Sequence, residues 1–470
     1  MNKMTWWFDM MLWKRVLLGL VLGVIFGLAV AEIMDEASGT ELLLQVKVVG
    51  DLFVQTIRLL IIPLIFFTLV AGVLALGSPS KLGSIGLKTL FLYLITTFFA
   101  NVIGLSMGTI FRPGEGVDLG SAIPKTLDGG GTFLERMTEI VTKNPFEKLL
   151  QADPTHLTLS VLLLLAGYYF AFKARDKGPR SILFMVLLTL GIAMASLDIL
   201  MVILISICFG IGVLFSGPLA RPVTSFFELA SDLVLKVTTI MMELAPFGVF
   251  GLIAYVAGTS GIEVFKSILI LAIAVYLGCF LHMFIAYGGL IKLVLKFPLI
   301  KFFRGIVGAQ MVAYSTSSSS ATLPVTIAHV TENFGVSKSI AGSVLPLGST
   351  INMDGTAMYL GIVALFTAQV FGYALEPYHY IMIAVTAAMV SVGAAGIPSA
   401  SLFLLTPMLA VFGVSDAHVA LIVGFIWPFD RLLDMMRTVT NVTGDAAVSV
   451  AVAKWEGELD ESVFPGAAVR

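Results

Sequence analysis

A stripe of polar and charged residues near the C-terminus has the composition needed to hold a small charged solute. Five of 16 consecutive residues there are charged, whereas charged residues make up only 12% of the 470-residue chain. On a helix, Asp430, Asp434, Arg437, Asn441 and Asp445 fall within an arc of about 80°, because each lies three or four residues from the next. Asp434 and Arg437, one turn apart, suit a ligand that carries both an ammonium and a carboxylate group.

A second segment, Gly348–Thr356, has residues that suit an inorganic cation. It contains Asn352 and Asp354, and Gly355 suits a break in a helix at this point. A broken helix exposes backbone carbonyl oxygens, and carbonyls together with carboxylates suit hard cations such as Na⁺. An ordinary kinked helix, in which Asp354 bonds to a neighbour, is the alternative.

Two short segments of small residues have compositions typical of a backbone that lies against a ligand. They are called the first tip, Ser317–Ser320, and the second tip, Gly396–Ser401. Small residues allow close approach, and free amides at a half-helix N-terminus can hold a carboxylate. Each tip precedes one of the two polar segments above, which is a weak internal duplication of the kind found in transporters. A flexible surface linker is the alternative for the first tip.

The rest of the chain indicates that these segments lie in a bundle of membrane-spanning helices. Hydrophobic residues make up 58% of the chain, and the mean hydropathy is +0.99. Soluble domains carry about 25% charged residues, so a soluble enzyme is nearly excluded and an α-helical multi-pass membrane protein is expected. The net charge of −2 offers no basic surface for nucleic acid.

A charge at the bilayer centre costs about 2.5–3.5 kcal/mol of insertion free energy. A charged stripe in a spanning helix is therefore expected only where its charges pair with one another or bind a ligand. An amphipathic helix at the membrane surface is the alternative, but the flanking residues are apolar or small. Arg431 lies off the stripe, and its spacing gives it no role.

The distribution of charges predicts the orientation of the chain. Lys14 and Arg15 precede the first apolar run, and acidic residues follow it, which places the N-terminus in the cytoplasm. No cleavable signal is evident. After about residue 299 the apolar runs become short and interrupted. Irregular backbone of this kind is tolerated at membrane depth only where protein buries it or where it lines a watery cavity.

With these segments in view, the chain resembles the dicarboxylate/amino acid:cation symporter family, the glutamate transporters and their prokaryotic homologues. The resemblance covers most of the chain and is carried by Asn352-Met-Asp-Gly-Thr356 and by the pattern from Asp434 through Arg437 and Asn441 to Asp445. It implies an all-α elevator fold with inverted repeats and two re-entrant helical hairpins, assembled as a homotrimer in the lipid membrane.

The same resemblance divides the chain into a static scaffold and a mobile transport domain. The implied boundaries are scaffold helices in 1–81, a third helix of the transport domain in 82–112, scaffold helices in 113–262 with an apparent inserted hairpin at 155–197, the transport domain in 263–455 (hairpins at 299–333 and 376–418, helices at 340–370 and 419–455) and a cytoplasmic tail in 456–470. Both termini are therefore expected in the cytoplasm, most simply at a prokaryotic inner membrane.

The resemblance also assigns roles to the substrate contacts. Arg437 corresponds to the arginine that pairs with the substrate's side-chain carboxylate, and Asp434 to the aspartate that holds its ammonium. The other implied substrate-binding residues are Ser317, Ser319, Thr356, Ile397, Ser401, Thr438 and Asn441. Ser401 stands where well-known archaeal members have glycine.

Three sodium sites are implied in the same way, and no organic cofactor. Their residues are Gly348, Asn352, Asn441 and Asp445 for the first; Tyr93, Thr96, Thr97, Asn352 and Asp354 for the second; and Thr350, Ser391, Val392 and Ala394 for the third. Leu360 stands where proton-coupled animal members place a glutamate, which disfavours proton co-transport by that route.

Together these residues predict a sodium-coupled importer of aspartate or glutamate, and not an enzyme. Relatives that carry C4-dicarboxylates lack Asp434 and Asp445, and a neutral amino acid carrier is expected to lack Arg437. An anion channel is the alternative from a different class. An intramembrane aspartyl protease using Asp354 and Asp445 would leave Arg437 and Asn441 without a purpose.

Overall fold

The computed structural model describes residues 10–74, 82–117, 199–216, 221–261, 263–394, 396, 399–410 and 414–463. The predicted insertion at 155–197, the candidate site residue Ile397 and the end of the tail, 464–470, lie outside these ranges. The described helices are α1 Leu12–Ile33, α2 Glu36–Leu74, α3 Leu87–Phe111, α4 Ile199–Phe215, α5 Arg221–Met242, α6 Ala245–Ser260, α7 Glu263–His282, α8 Leu299–Thr316, α9 Ser319–Phe334, α10 Lys338–Ile351, α11 Asp354–Val370, α12 Pro377–Ser391, α13 Ala400–Ala410 and α14 Asp416–Glu456.

The described part of the chain confirms an all-α protein with several helices suited to a membrane. Five helical stretches there are long and apolar enough to cross a bilayer, and a sixth forms if α5 and α6, which meet at a 49° bend, are counted together. The one extended pairing among the described residues is a single antiparallel bridge between Val336 and Leu459.

Glycines on α1 allow this helix to pack directly against the backbone of α6. Gly19, Gly23 and Gly27 recur at every fourth residue and therefore share one face of α1. A Cβ atom on Gly19 would lie 2.3 Å from the carbonyl oxygen of Pro246, and one on Gly27 would lie 2.2 Å from that of Ala254. Small residues of this kind let helices approach closely in a membrane, where no hydrophobic force acts between them.

The helix over 340–370 is broken, but not where the glycine suggested. Asn352 and Met353 leave the helical conformation, and α11 begins at Asp354. Gly355 is helical, and a Cβ there would lie 2.5 Å from the carbonyl oxygen of Arg437. The break thus precedes Asp354, and the glycine instead permits α11 to touch α14.

Two helical pairs present the small-residue tips to α14. Helices α8 and α9 pack on each other and on α14, and the first tip joins them. Ser317 reverses the chain with a φ of 52°, and the Ser318 hydroxyl caps α9 by accepting the N–H of Ala321 at 3.1 Å. Helices α12 and α13 also pack together, and the second tip lies between them.

The segment after α14 folds back onto the turn between α9 and α10. Gly457 reverses the chain with a φ of 72°. The N–H of Ser337 then donates to the carbonyl of Glu458 at 3.1 Å, and the N–H of Asp460 donates to the carbonyl of Gly335 at 2.9 Å. Residues 458–460 therefore join the end of α14 to the start of α10.

Candidate functional site

The polar stripe of α14 faces the interior of the protein. Asp430, Asp434, Arg437, Asn441 and Asp445 are each at most 5% exposed. A helix lying at the membrane surface would leave such a stripe in water, so this alternative does not fit. Burial of five polar groups on one face requires that they satisfy one another or a ligand.

Arg437 is held by two carboxylates on its own helix. Its Nη2 donates to Asp430 Oδ1 at 2.8 Å and to Asp434 Oδ1 at 2.9 Å, and the guanidinium lies 3.9 Å from the ring centre of Tyr359. Nε and Nη1 have no hydrogen-bond partner, although both are buried. Each of these two donors can bind an oxygen of a carboxylate.

A small polar cavity lies beside this arginine. Its volume is about 10 Å³, which is room for about one water molecule. The lining residues are Ser317, Ser319, Met353, Thr356, Ala394, Gly396, Ser401, Asp434, Thr438 and Asn441. The cavity therefore brings together all the predicted substrate-binding residues that the structure describes except Arg437, whose guanidinium is engaged by its two carboxylates.

Two hydroxyl groups of the cavity wall lack partners. Ser317 Oγ on the first tip and Ser401 Oγ on α13 are buried and make no hydrogen bond. Buried polar groups without partners are uncommon in native proteins and call for an explanation. A polar ligand in the cavity would satisfy both, and serine at position 401 thus adds a donor where a glycine has none.

The two tips bond to each other beside the cavity. The Gly396 carbonyl accepts the hydroxyl of Ser318 at 2.7 Å and the N–H of Ser320 at 3.3 Å. The N–H of Ser399 donates to Asp434 Oδ2 at 2.7 Å. Gly396 has a φ of 52°, and a Cβ there would lie 2.4 Å from the carbonyl oxygen of Ser349, so only glycine fits.

Residues of the first predicted sodium site lie together. Asp445 Oδ1 accepts Asn352 Nδ2 at 2.9 Å, and Asn441 Oδ1 accepts the N–H of Gly355 at 2.8 Å across the helix break. Gly348 packs directly against the Asp445 carboxylate. Asp445 has no cationic side chain within ion-pair distance in the described ranges, and Asn352 Oδ1 has no partner. This oxygen-rich, uncompensated group fits a hard cation.

Asp354, of the second predicted site, is held by three side chains. Thr97 Oγ1 donates to Oδ1 at 2.6 Å, Tyr287 OH donates to Oδ2 at 2.7 Å, and His282 Nε2 lies 3.1 Å from Oδ2. Both Asp354 and His282 are fully buried. Helix α3 therefore contributes to this site from far away in the sequence.

The remaining predicted sodium ligands are buried nearby. Tyr93 OH donates to the carbonyl of Val344 at 3.1 Å and packs against Gly348, whereas Thr96 Oγ1 donates to the carbonyl of Tyr93 within α3. For the third site, the turn Val392–Ala394 packs against α10, which carries Thr350. In this conformation Thr350 and Ser391 each bond to a carbonyl of their own helix.

Four further residues belong to this region although the sequence reasoning assigned them no role. They are Tyr359, His282, Tyr287 and Arg431. A signal for His282 existed, because an ionisable side chain inside a long apolar run indicates a functional position by default. Tyr359 and Tyr287 carried no such signal, since a tyrosine in a spanning helix is unremarkable.

Helices suited to a bilayer around a small polar cavity with a buried aspartate in its wall are the features of a multi-pass membrane transport protein. A model of the sodium:dicarboxylate symporter family matches residues 12–455. The chain belongs to this family, whose members are transporters and not enzymes.

Curated relatives cover nearly the whole chain. The proton/sodium-glutamate symport protein of Geobacillus stearothermophilus is 30% identical over 95% of this chain and 95% of its own length. The proton/sodium-glutamate symport protein of Bacillus subtilis (strain 168) is 31% identical over 94% of this chain and 92% of its own. The C4-dicarboxylate transport protein of Bacillus subtilis (strain 168) is 30% identical over 95% and 94%. Identity at this level supports a co-transported cation and does not resolve which of the two substrate classes this chain carries.

Proposed function

We propose that the protein imports acidic amino acids, aspartate or glutamate, by coupling their uptake to Na⁺. The proposal rests on the pair formed by Asp434, which lines the cavity, and Arg437, which bonds to Asp434 and has two donors without a partner. An acidic amino acid separates this pair: its carboxylate takes Arg437, and its ammonium takes Asp434. Asp430 stays with Arg437, so Asp434 and Arg437 each keep a partner when the substrate is bound.

The coupling to sodium is supported by two buried carboxyl groups in the predicted cation sites. Asp445 has no cationic side chain within ion-pair distance in the described ranges, and Asp354 lies at the start of α11 with its oxygens turned to α3 and α7. A cation beside each carboxylate lowers the cost of burying it. Because Asn441 lines the cavity and also holds the helix break next to Asp354, sodium and substrate contacts share one residue.

The wider proposal follows the family resemblance. The protein works as a homotrimer in a prokaryotic inner membrane, with both termini in the cytoplasm. The α8–α9 and α12–α13 pairs are re-entrant hairpins of a transport domain that moves like an elevator against a scaffold. The C4-dicarboxylate relatives make succinate-like substrates the second candidate class.

The test is uptake into proteoliposomes that contain the purified protein. An inward Na⁺ gradient is expected to drive accumulation of labelled L-aspartate, and unlabelled glutamate should compete while serine should not. A panel of aspartate, glutamate, succinate and serine, each with Na⁺ or with K⁺ in its place, separates the substrate classes. Uptake driven only by a pH gradient would contradict sodium coupling.

A further inference from the structure

Arg431 is a buried arginine that neither the substrate contacts nor the cation sites above employ. It follows Asp430 on α14, and its side chain is 6% exposed. Its Nη2 donates to the carbonyl of Thr316 at 3.1 Å, and Thr316 is the last residue of α8. The final carbonyls of a helix have no helical partner and favour a cation. One edge of this guanidinium thus holds α8 just before the first tip.

The other two donor atoms of Arg431 are free. Nε and Nη1 are buried and have no hydrogen-bond partner, an unfavourable state for charged donors. No carboxylate forms an ion pair with Arg431 in the part of the chain that the structure describes. Asp434 lies three residues further along α14, and residues at this spacing are neighbours on a helix surface. Arg431 therefore neighbours the carboxylate assigned to the substrate's ammonium and has two donors without a partner.

The balance of charges at Asp434 depends on what enters the cavity. Without substrate, Arg437 bonds to Asp434 at 2.9 Å. A substrate carboxylate that binds Arg437 competes with Asp434 for the positive charge of this guanidinium. An acidic amino acid replaces it with an ammonium, but a C4-dicarboxylate has none and would leave a buried carboxylate uncompensated.

We propose that Arg431 is a specificity-determining residue whose free donors compensate Asp434 when the substrate lacks an ammonium group. The site then accepts C4-dicarboxylates as well as acidic amino acids. The inference rests on the proposed function, because it assumes that Asp434 and Arg437 bind the substrate. An amino acid substrate has no need of Arg431, since its own ammonium occupies Asp434.

The experiment compares equilibrium binding of L-aspartate and succinate to the purified full-length protein in NaCl. For Arg431→Gln, succinate affinity is expected to fall by about tenfold or more, because a charge pair in a dry site is lost. Aspartate affinity should stay unchanged or rise. Arg431→Lys keeps the charge and should retain succinate binding. Arg437→Gln is the matched contrast and should lose both ligands.

A double variant shows whether Arg431→Gln weakens succinate binding through Asp434 or through a loss of folding, because only the first effect can be reversed at Asp434. Adding Asp434→Asn removes the carboxylate that needs compensation, so the variant carrying both changes should bind succinate again while losing aspartate. An equal loss of both ligands in Arg431→Gln would mean that the residue only holds Thr316, and it would overturn the proposal. So would a wild-type protein that binds aspartate but no succinate. A wild-type protein that binds succinate but neither aspartate nor glutamate refutes the proposed function instead.

Discussion

Gly348→Ala adds one methyl group and should weaken sodium binding, although every oxygen atom of the site is kept. A Cβ on this residue of α10 would lie 2.4 Å from Asp445 Oδ1 and 2.4 Å from the hydroxyl of Tyr93. Real Cβ atoms do not approach other atoms within 3.0 Å, so both groups must retreat by about 0.6 Å. Gly348→Ala therefore acts directly on the geometry of the first proposed sodium site.

Neither group can retreat freely. Asp445 accepts the amide of Asn352, and Tyr93 donates to the carbonyl of Val344. Overpacking of this kind costs about 1–3 kcal/mol. If the cost falls on the cation-bound form, it corresponds to roughly 5- to 150-fold weaker binding of Na⁺.

The assay is the Na⁺ dependence of L-aspartate binding to the purified protein. Gly342→Ala is the matched control, because it lies on the same helix and a Cβ there meets nothing within 4 Å. Gly342→Ala should leave the sodium titration unchanged and stabilise the helix by up to about 1 kcal/mol. A Gly348→Ala titration that superimposes on that of Gly342→Ala would refute the assignment of this site.

Three more substitutions test the ion pairs and the helix packing. Arg437→Gln leaves two buried carboxylates unpaired and should cost about 3–5 kcal/mol in unfolding free energy, whereas Arg112→Gln, in an exposed pair, should cost under about 1 kcal/mol; equal melting temperatures would contradict this. Asp445→Asn should move the sodium titration of aspartate binding to higher concentrations, and an unaltered titration would remove the residue from the site. Gly27→Ala should lower the melting temperature by overpacking α1 against α6 at a cost of about 1–3 kcal/mol, while Gly212→Ala, which meets nothing within 4 Å, should not; similar values for both would contradict the close packing of these helices.

The buried stripe was predictable because its signal is strong in sequence alone. Charges are scarce in this chain, and their spacing on α14 matches one helix face, so burial followed from two simple counts. The position of the helix break was harder to predict. Gly355 pointed to a break at its own position, but its missing side chain serves a contact with α14 that the sequence does not display.

Arg431 illustrates a different limit. Helical spacing places it off the stripe, and that geometry is correct, yet a long side chain reaches Thr316 on a helix more than a hundred residues away in sequence. Spacing describes where a Cβ points, whereas the end of an arginine can lie several ångströms from that direction. Helical spacing therefore does not predict contacts that long side chains make between elements distant in sequence.

The return of the chain after α14 has a practical consequence for anyone who produces this protein. Glu458 and Asp460 bond to the turn before α10, and Glu456 pairs with Lys88 of α3 at 2.7 Å. An affinity tag or fluorescent fusion joined directly after Glu456 would replace Glu458 and Asp460, and the bonds to the turn before α10 would be lost. Fusions should therefore begin beyond residue 463, where they leave this segment in place.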